Sequence, residues 1–201
     1  SPVVCSSSFR CLALRVAVVV CGFGLRIAPG SLQNLKSCPF DGRTWNDESG
    51  SLFLHLLASG PALLQVWEEI DFVDIPGRLI PEWLAIRNRP SASAAHRYTI
   101  DRHSVEVVTR LGRETPRGNR YDDRHYQALL LAGILHDVGK RPGVADHAAE
   151  GARHASMVLK RMGFDRDIIW WVTLLVREHL TLSEFATGQN PNDPNVGDEL
   201  A

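Results

Sequence analysis

The sequence predicts an all-α protein, folded as an irregular helical bundle. Two observations lead to this prediction. Apolar residues recur at the three- and four-residue spacing of an amphipathic helix in several segments, which Gly, Pro and polar residues separate. No segment shows the alternation of apolar and polar residues that would require a sheet. A length of 201 residues is enough for one well-packed core with an appendage.

The composition is that of an ordinary globular domain, with 44% hydrophobic and 22% charged residues. The formal net charge of −1 gives no reason to expect a nucleic-acid partner. All four cysteines lie in the first fifth of the chain without CxxC spacing, which argues against a zinc ribbon and a disulfide framework. Unpaired cysteines favour a cytoplasmic protein.

Residues 1–43 are predicted to be an unassigned leader that precedes a helical domain over residues 44–201. Their one apolar stretch, Val16–Leu25, lies between two arginines and is too short to span a bilayer, so no membrane association is expected. No convincing small-x-small cleavage site follows it. A buried strand or a poorly ordered leader is therefore preferred to a signal peptide.

Helical spacing continues through the rest of the chain. Two helices, Leu52–Ser59 and one from Pro61 to Glu69, are separated by the Gly60-Pro61 break, and residues 79–83 form a packed connection or a short helix. Four further helices are predicted at Asp101–Leu111, Asp123–Val138, Asp146–Met162 and Arg166–His179.

The stretch Leu129–Lys140, which reads LLLAGILHDVGK, organises the chain. Its apolar run is long enough for a buried helix, and Gly139 suits the end of that helix. The run ends in His136 and Asp137. A buried imidazole and a buried carboxylate are costly unless they are paired or bound to metal, so these two residues predict a site.

Several further residues of metal-binding type lie at helix ends or on helix faces. Imidazole and carboxylate ligands together suit Mn, Fe, Zn or Mg. One divalent ion takes four to six ligands, whereas two ions bridged by Asp137 would use the whole set, and a metal pair is a device for phosphoester hydrolysis. Lys140 could lie near a phosphate oxygen, so Asp137 and Lys140 are the predicted catalytic residues. The predicted metal ligands are His103, His136, Asp137, His147, His179 and Asp193.

The ordered set of motifs resembles the HD-domain metal-dependent phosphohydrolases, in particular the uridylyl-removing domain of bifunctional [protein-PII] uridylyltransferase/uridylyl-removing enzymes. The matching stretches are IPEW at 80–83, IRNRP at 86–90, HRYTIDRH at 96–103, HDVGK at 136–140, DH at 146–147, REHL at 177–180 and NDP at 192–194. The resemblance covers about Trp45–Val196. It implies an HD-type helical bundle, the six metal-site residues named above with Lys140 nearby, and hydrolysis of the uridylyl-tyrosine phosphodiester on the PII signal protein; some relatives are thought to act on adenylylated PII.

This sequence departs from the family's pattern in four places. It lacks the upstream nucleotidyltransferase motif and the regulatory domains that follow in the family, so transferase activity and glutamine sensing are not expected. The family usually has Arg-Asp near Gln189-Asn190. The segment after Asp193 is short, so the chain is interpreted as a C-terminally truncated HD domain.

Two alternatives remain open from the sequence. The chain could be a general HD phosphohydrolase acting on small nucleotides, or an inactive remnant that binds only metal or a partner. Among other residues, His154 is expected to pack or face solvent, and His96 to be an outer partner or an exposed loop residue. His55 and His125 are expected at the surface, and Trp170-Trp171 in the core.

Overall fold

A computed structural model of the chain describes residues 11–37, 45–91, 98–114 and 123–181. Within these ranges the fold is all-α, as predicted; the described residues contain no strand, only an isolated bridge between Pro90 and Thr99. The helices are α1 Leu12–Phe23, α2 Pro29–Lys36, α3 Asp47–Leu57, α4 Pro61–Asp71, α5 Ile75–Leu79, α6 Ile100–Glu114, α7 Arg124–Leu135, α8 His147–Met162 and α9 Arg166–Arg177, with a 3₁₀ turn at Pro81–Ala85.

Helix α7 is the central element of the half of the bundle that carries the predicted site. Eight of its twelve residues are buried, and Asp123 caps it by accepting hydrogen bonds from the backbone amides of His125 and Tyr126. Helices α6 and α9 pack against α7, and α8 packs against α9. The five predicted ligands within the described residues are carried by α6, α8 and the segments that follow α7 and α9, so this packing brings them to one region.

The first described segment differs from the prediction. Residues 12–23 form a helix, not a buried strand, and this helix buries Leu14, Ala17 and Cys21 against α3 and α4. These buried residues recur at three- and four-residue spacing, so they lie on one face of the helix. They share one hydrophobic core with the later helices. No single described helix is long and apolar enough to cross a bilayer, although the pair α3 and α4, bent by 119°, passes that test together.

The IPEW stretch forms most of the 3₁₀ turn, and its Glu82 and Trp83 side chains hold the turn against the helices. Trp83 is fully buried, and its ring meets the Trp67 ring edge to face with centroids 5.3 Å apart. Both carboxylate oxygens of Glu82 accept hydrogen bonds from Arg161 on α8, at 2.9 and 2.6 Å. This stretch therefore connects the first half of the chain to the helix that begins at His147.

Candidate metal centre

The HD dipeptide lies in a turn just beyond α7. The helix ends at Leu135, three residues before the predicted end, and residues 136–139 form turns closed by the Val138 amide on the Leu135 carbonyl and the Lys140 amide on the Asp137 carbonyl. The Asp137 side chain is only 1% exposed. The turn thus holds a carboxylate inside the protein at the end of a buried helix.

Gly139 is required for a different reason from the predicted one. It does not have the positive φ of a helix-ending glycine. Instead, a β-carbon on Gly139 would lie 2.2 Å from the His147 carbonyl oxygen and 2.4 Å from the Gly151 amide nitrogen. The missing side chain lets the first turns of α8 approach the HD turn closely.

Four histidine rings form a chain of edge-to-face contacts around Asp137. The centroid distances are 5.2 Å from His103 to His136, 5.3 Å from His136 to His179 and 5.6 Å from His179 to His147. His147 is the first residue of α8, which Asp146 caps by accepting the Ala149 amide at 2.8 Å. His179 follows the end of α9. The structure therefore brings together five of the six predicted ligands, while Asp193 lies outside the described residues.

These side chains fall into two groups that share one member. His103, His136 and Asp137 have possible ligand atoms within 4.8 Å of one another, and so do Asp137, His147 and His179. Asp137 is common to both groups. Each group offers two imidazole nitrogens and a carboxylate oxygen, the donor set of a Mn, Fe or Zn site.

Backbone carbonyls orient two of the rings. The Nδ1 of His136 lies 2.9 Å from the Gly133 carbonyl oxygen, and the Nδ1 of His179 lies 2.7 Å from that of Val176. A carbonyl only accepts hydrogen bonds, so each Nδ1 carries the proton. Each Nε2 is then directed toward Asp137, at 3.4 Å for His136 and 3.6 Å for His179.

Several buried atoms of the group lack hydrogen-bond partners. They are Asp137 Oδ1, His147 Nε2 and His179 Nε2. Buried polar atoms of this kind are normally satisfied. A cation placed among them would satisfy all three, so the donor set fits a metal.

The charges around Asp137 favour its ionised form. Burial alone would raise the pKa of Asp137, but His136, His179 and Lys140 outweigh burial and lower that pKa far below its usual range. The Lys140 ammonium donates a hydrogen bond to Asp137 Oδ2 at 2.8 Å. Burial lowers the pKa of His147, and Lys140 lowers it further. Burial also opposes protonation of His179, but Asp137 reverses the balance and raises the pKa of His179.

A cleft of about 430 Å³ opens beside this group. His103, His136, Asp137, Lys140 and His179 line one part of it, and aliphatic side chains line the rest. The Lys140 side chain therefore borders the cleft as well as contacting Asp137. Ligands could reach Asp137 through this opening.

Outside the centre, the remaining predictions have mixed outcomes. His55 and His125 are exposed, as predicted. His154 is buried and its Nε2 lies 2.9 Å from a Glu150 carboxylate oxygen, so it packs within the fold. The prediction that both tryptophans are core residues is wrong for Trp170, whose exposed fraction is 57%. His96 lies outside the described residues.

Two features of the site were not predicted from the sequence. The close approach of Gly139 and Gly151 depends on a contact between segments twelve residues apart, which periodicity does not reveal. The apolar spacing of the predicted helix Arg166–His179 places Leu175 on the core face, but Leu175 is 37% exposed and lines the cleft. The apolar residues of α9 cover more of its circumference than one buried face needs. That width could have indicated from the sequence that some of them, such as Leu175, are exposed.

The comparisons with known proteins agree with this geometry. Residues 100–196 match the family model of the HD domain, a range that contains all six predicted ligands. The chain therefore contains an HD domain.

The chain is also similar to curated proteins that share one name. The chain is 36% identical over 185 residues to the bifunctional uridylyltransferase/uridylyl-removing enzyme of Streptomyces coelicolor, a match that covers 91% of the chain and 21% of that protein. The enzyme of the same name from Mycobacterium tuberculosis H37Rv is 36% identical, with 92% and 22% covered. That of Corynebacterium glutamicum is 29% identical, with 94% and 26% covered. The chain thus spans about a fifth of the length of the S. coelicolor and M. tuberculosis relatives.

Proposed function

We propose that the five clustered residues bind two divalent ions that Asp137 bridges, with Asp193 as the sixth ligand. The observation that carries the proposal is the membership of Asp137 in both ligand groups. His103 and His136 would complete one site, and His147 and His179 the other. The mixture of imidazole and carboxylate donors suits Mn, Fe, Zn or Mg.

The reaction that this site supports is hydrolysis of a phosphodiester. When bound, a metal pair supplies an activated water and neutralises charge on the attacking and leaving oxygens. The chain's own residues do the rest of the positioning. The carbonyls of Gly133 and Val176 fix the ligand tautomers, and the Lys140 ammonium at the cleft can contact a phosphate oxygen.

The substrate we propose is the modified PII nitrogen-regulatory protein, from which the chain removes uridylyl or adenylyl groups. The support is the 36% identity to relatives named as uridylyl-removing enzymes and the match of residues 100–196 to the HD domain. Such a substrate would place the protein in the cytoplasm.

Metal stoichiometry tests the two-ion centre directly. After loading with Mn²⁺ and removal of excess metal, we expect two equivalents per chain by elemental analysis. Asp137→Ala should lose both, whereas His103→Ala and His147→Ala should each lose one, because each histidine belongs to only one group. His55→Ala, at an exposed histidine, is the matched control and should keep both. If the wild-type chain holds no Mn²⁺ after this treatment, the proposal is contradicted.

The substrate is tested separately with the loaded chain. We expect release of uridine monophosphate from uridylylated PII, and loss of that release in Asp137→Ala. Hydrolysis of free nucleotides without any release from PII would replace this substrate with small nucleotides. Metal binding without hydrolysis of either substrate would favour the alternative that the chain is an inactive remnant that binds only metal or a partner.

A further inference from the structure

Helix α9 carries a stripe of large apolar side chains that the described part of the chain leaves largely uncovered. Trp170 is 57% exposed, and Leu174 and Leu175 are 39% and 37% exposed. Trp171 between them is half-buried. Residues at positions i, i+1, i+4 and i+5 fall on one side of a helix, so these four side chains adjoin. Single exposed apolar residues are common on protein surfaces, but a contiguous set marks an interaction surface.

One end of this apolar stripe is a groove between the first turns of α7 and α9. The Trp170 and Trp171 rings meet edge to face with centroids 4.6 Å apart, and the His125 ring packs against Trp171 at 5.3 Å. These rings line a groove of about 270 Å³, together with Ile168 and the side chains of Arg124 and Asp167. The groove has room for a side chain of a partner.

The other end of the stripe is the cleft beside the candidate metal centre. Leu175 lies four residues after Trp171 on α9. Leu129 lies four residues after His125 on α7, and both leucines line the cleft. Four residues of a helix span about 6 Å. The apolar surface is therefore continuous from the groove to the opening through which a ligand reaches Asp137.

The charges around the stripe are of both signs. Arg124 donates hydrogen bonds to the carboxylates of Asp165 and Asp167, and Arg177 and Glu178 are exposed beyond the other end of the stripe. A nucleic acid or an anionic membrane binds to clustered positive charges, and this mixed rim is not such a cluster. An apolar centre that contains tryptophan, with a mixed polar rim, is the composition of a protein interface.

We infer that the stripe is a docking surface for the protein part of the substrate, outside the cleft that receives the phosphodiester. The inference rests on the proposed function, because the continuity of stripe and cleft matters only if a modified side chain of PII enters the cleft. The PII surface beside that residue then lies along α9, with one of its apolar side chains in the groove between Trp170 and His125. A free nucleotide has no such surface, so the stripe favours a protein substrate.

A comparison of a protein substrate with a small one tests the docking surface. With the Mn²⁺-loaded chain, we expect the double variant Trp170→Ser/Leu174→Ser to raise KM for uridylylated PII about tenfold and to leave kcat within about twofold, because the stripe contacts substrate and transition state equally. Hydrolysis of the p-nitrophenyl ester of uridine 5′-phosphate should not change, since neither residue lines the cleft. Phe72→Ser is the matched control: Phe72 follows α4, is 79% exposed and should affect neither substrate.

Tryptophan fluorescence tests where the partner lies without catalysis. Binding of unmodified PII should cover the exposed Trp170 ring, so acrylamide should quench the fluorescence of the chain less in the complex than in the free chain. In Trp170→Phe this protection should disappear. Equal quenching of the free and bound wild-type chain would overturn the docking surface.

The outcomes separate the docking surface from the proposed function. An unchanged KM for uridylylated PII in the double variant, or an equal loss on both substrates, would overturn the docking surface and leave the phosphodiesterase proposal standing. A dimer of the chain that Trp170→Ser dissociates would assign the stripe to a second copy, which also overturns the inference. A wild-type chain that cleaves the small ester but neither binds nor cleaves uridylylated PII would contradict both the proposed substrate and the docking surface.

Discussion

The backbone of Gly139 lies directly against the backbone of Gly151. A β-carbon on Gly139 would come within 2.4 Å of the Gly151 nitrogen and 2.8 Å of its α-carbon. This contact joins the HD turn to α8, and α8 begins with His147. The distance between Asp137 and His147, and with it the second ligand group, therefore depends on two glycines that bear no functional side chain.

Gly139→Ala should separate α8 from the HD turn. We expect it to lower the free energy of unfolding by about 1–3 kcal/mol, as overpacking does. It should also remove one equivalent of bound metal, because His147 belongs only to the second group. Urea unfolding and metal analysis measure the two effects. Gly22→Ala is the control, since nothing lies within 4 Å of its added carbon in α1, and it should be neutral or slightly stabilising. A Gly139→Ala chain that retains both metals would contradict this role.

Lys140→Gln should lower the free energy of unfolding, because the buried Asp137 carboxylate loses the ammonium group that balances its charge. Lys140 donates to the Asp137 carboxylate at 2.8 Å, and that carboxylate is 1% exposed. Without metal, we expect the variant to lose about 1–3 kcal/mol of unfolding free energy, because a buried charge loses its ammonium partner. Added Mn²⁺ should recover most of this loss by binding the folded state. Thermal unfolding with and without Mn²⁺ measures it. Lys160→Gln, at an exposed lysine, should show neither effect.

Glu150 should contribute to the acid sensitivity of the fold. Arg153 holds the pKa of Glu150 at about 2, and its contact with His154 acts in the same direction. The unfolded value is about 4.3, so the contribution is complete above that pH and is lost as the pH falls toward about 2. In urea unfolding across this range, the wild-type free energy should therefore fall more steeply than that of Glu150→Gln. Parallel curves would contradict the assignment, and the constant difference above about pH 5 is the internal control.

Glu82→Gln should test the connection between the 3₁₀ turn and α8. Glu82 accepts two hydrogen bonds from Arg161, and both side chains are largely buried. We expect a loss of about 1–3 kcal/mol in unfolding free energy, because the guanidinium loses its charged partner in a partly desolvated place. Glu48→Gln removes the partner of Arg15 in an exposed pair and should cost less than about 1 kcal/mol. Equal losses in the two variants would contradict the structural role of Glu82.

Local patterns were enough to predict much of the second half of the chain. The helices from residue 100 onward agree with their predicted ranges to within three residues, because the apolar spacing, the capping aspartates and the glycine that ends α8 are all local features of the sequence. The first segment was predicted less well. A short apolar run such as Val16–Leu25 has no polar face to reveal its period, and only its packing against α3 and α4 shows that it is helical.

The sequence by itself determined which residues could form the centre. His103, His136, Asp137, His147 and His179 were identified by residue type and motif, and the described structure clusters all five. Only the tertiary structure decided which histidines belong together, His103 with His136 and His147 with His179, and that backbone carbonyls direct two of the rings. It also showed that Leu175, predicted as a core residue, lines the cleft beside the centre. Gly139, predicted to end a helix, is instead a point of close contact with the backbone of α8. The physical reason is that distances between segments depend on side-chain packing across helices, which no local spacing in the sequence encodes.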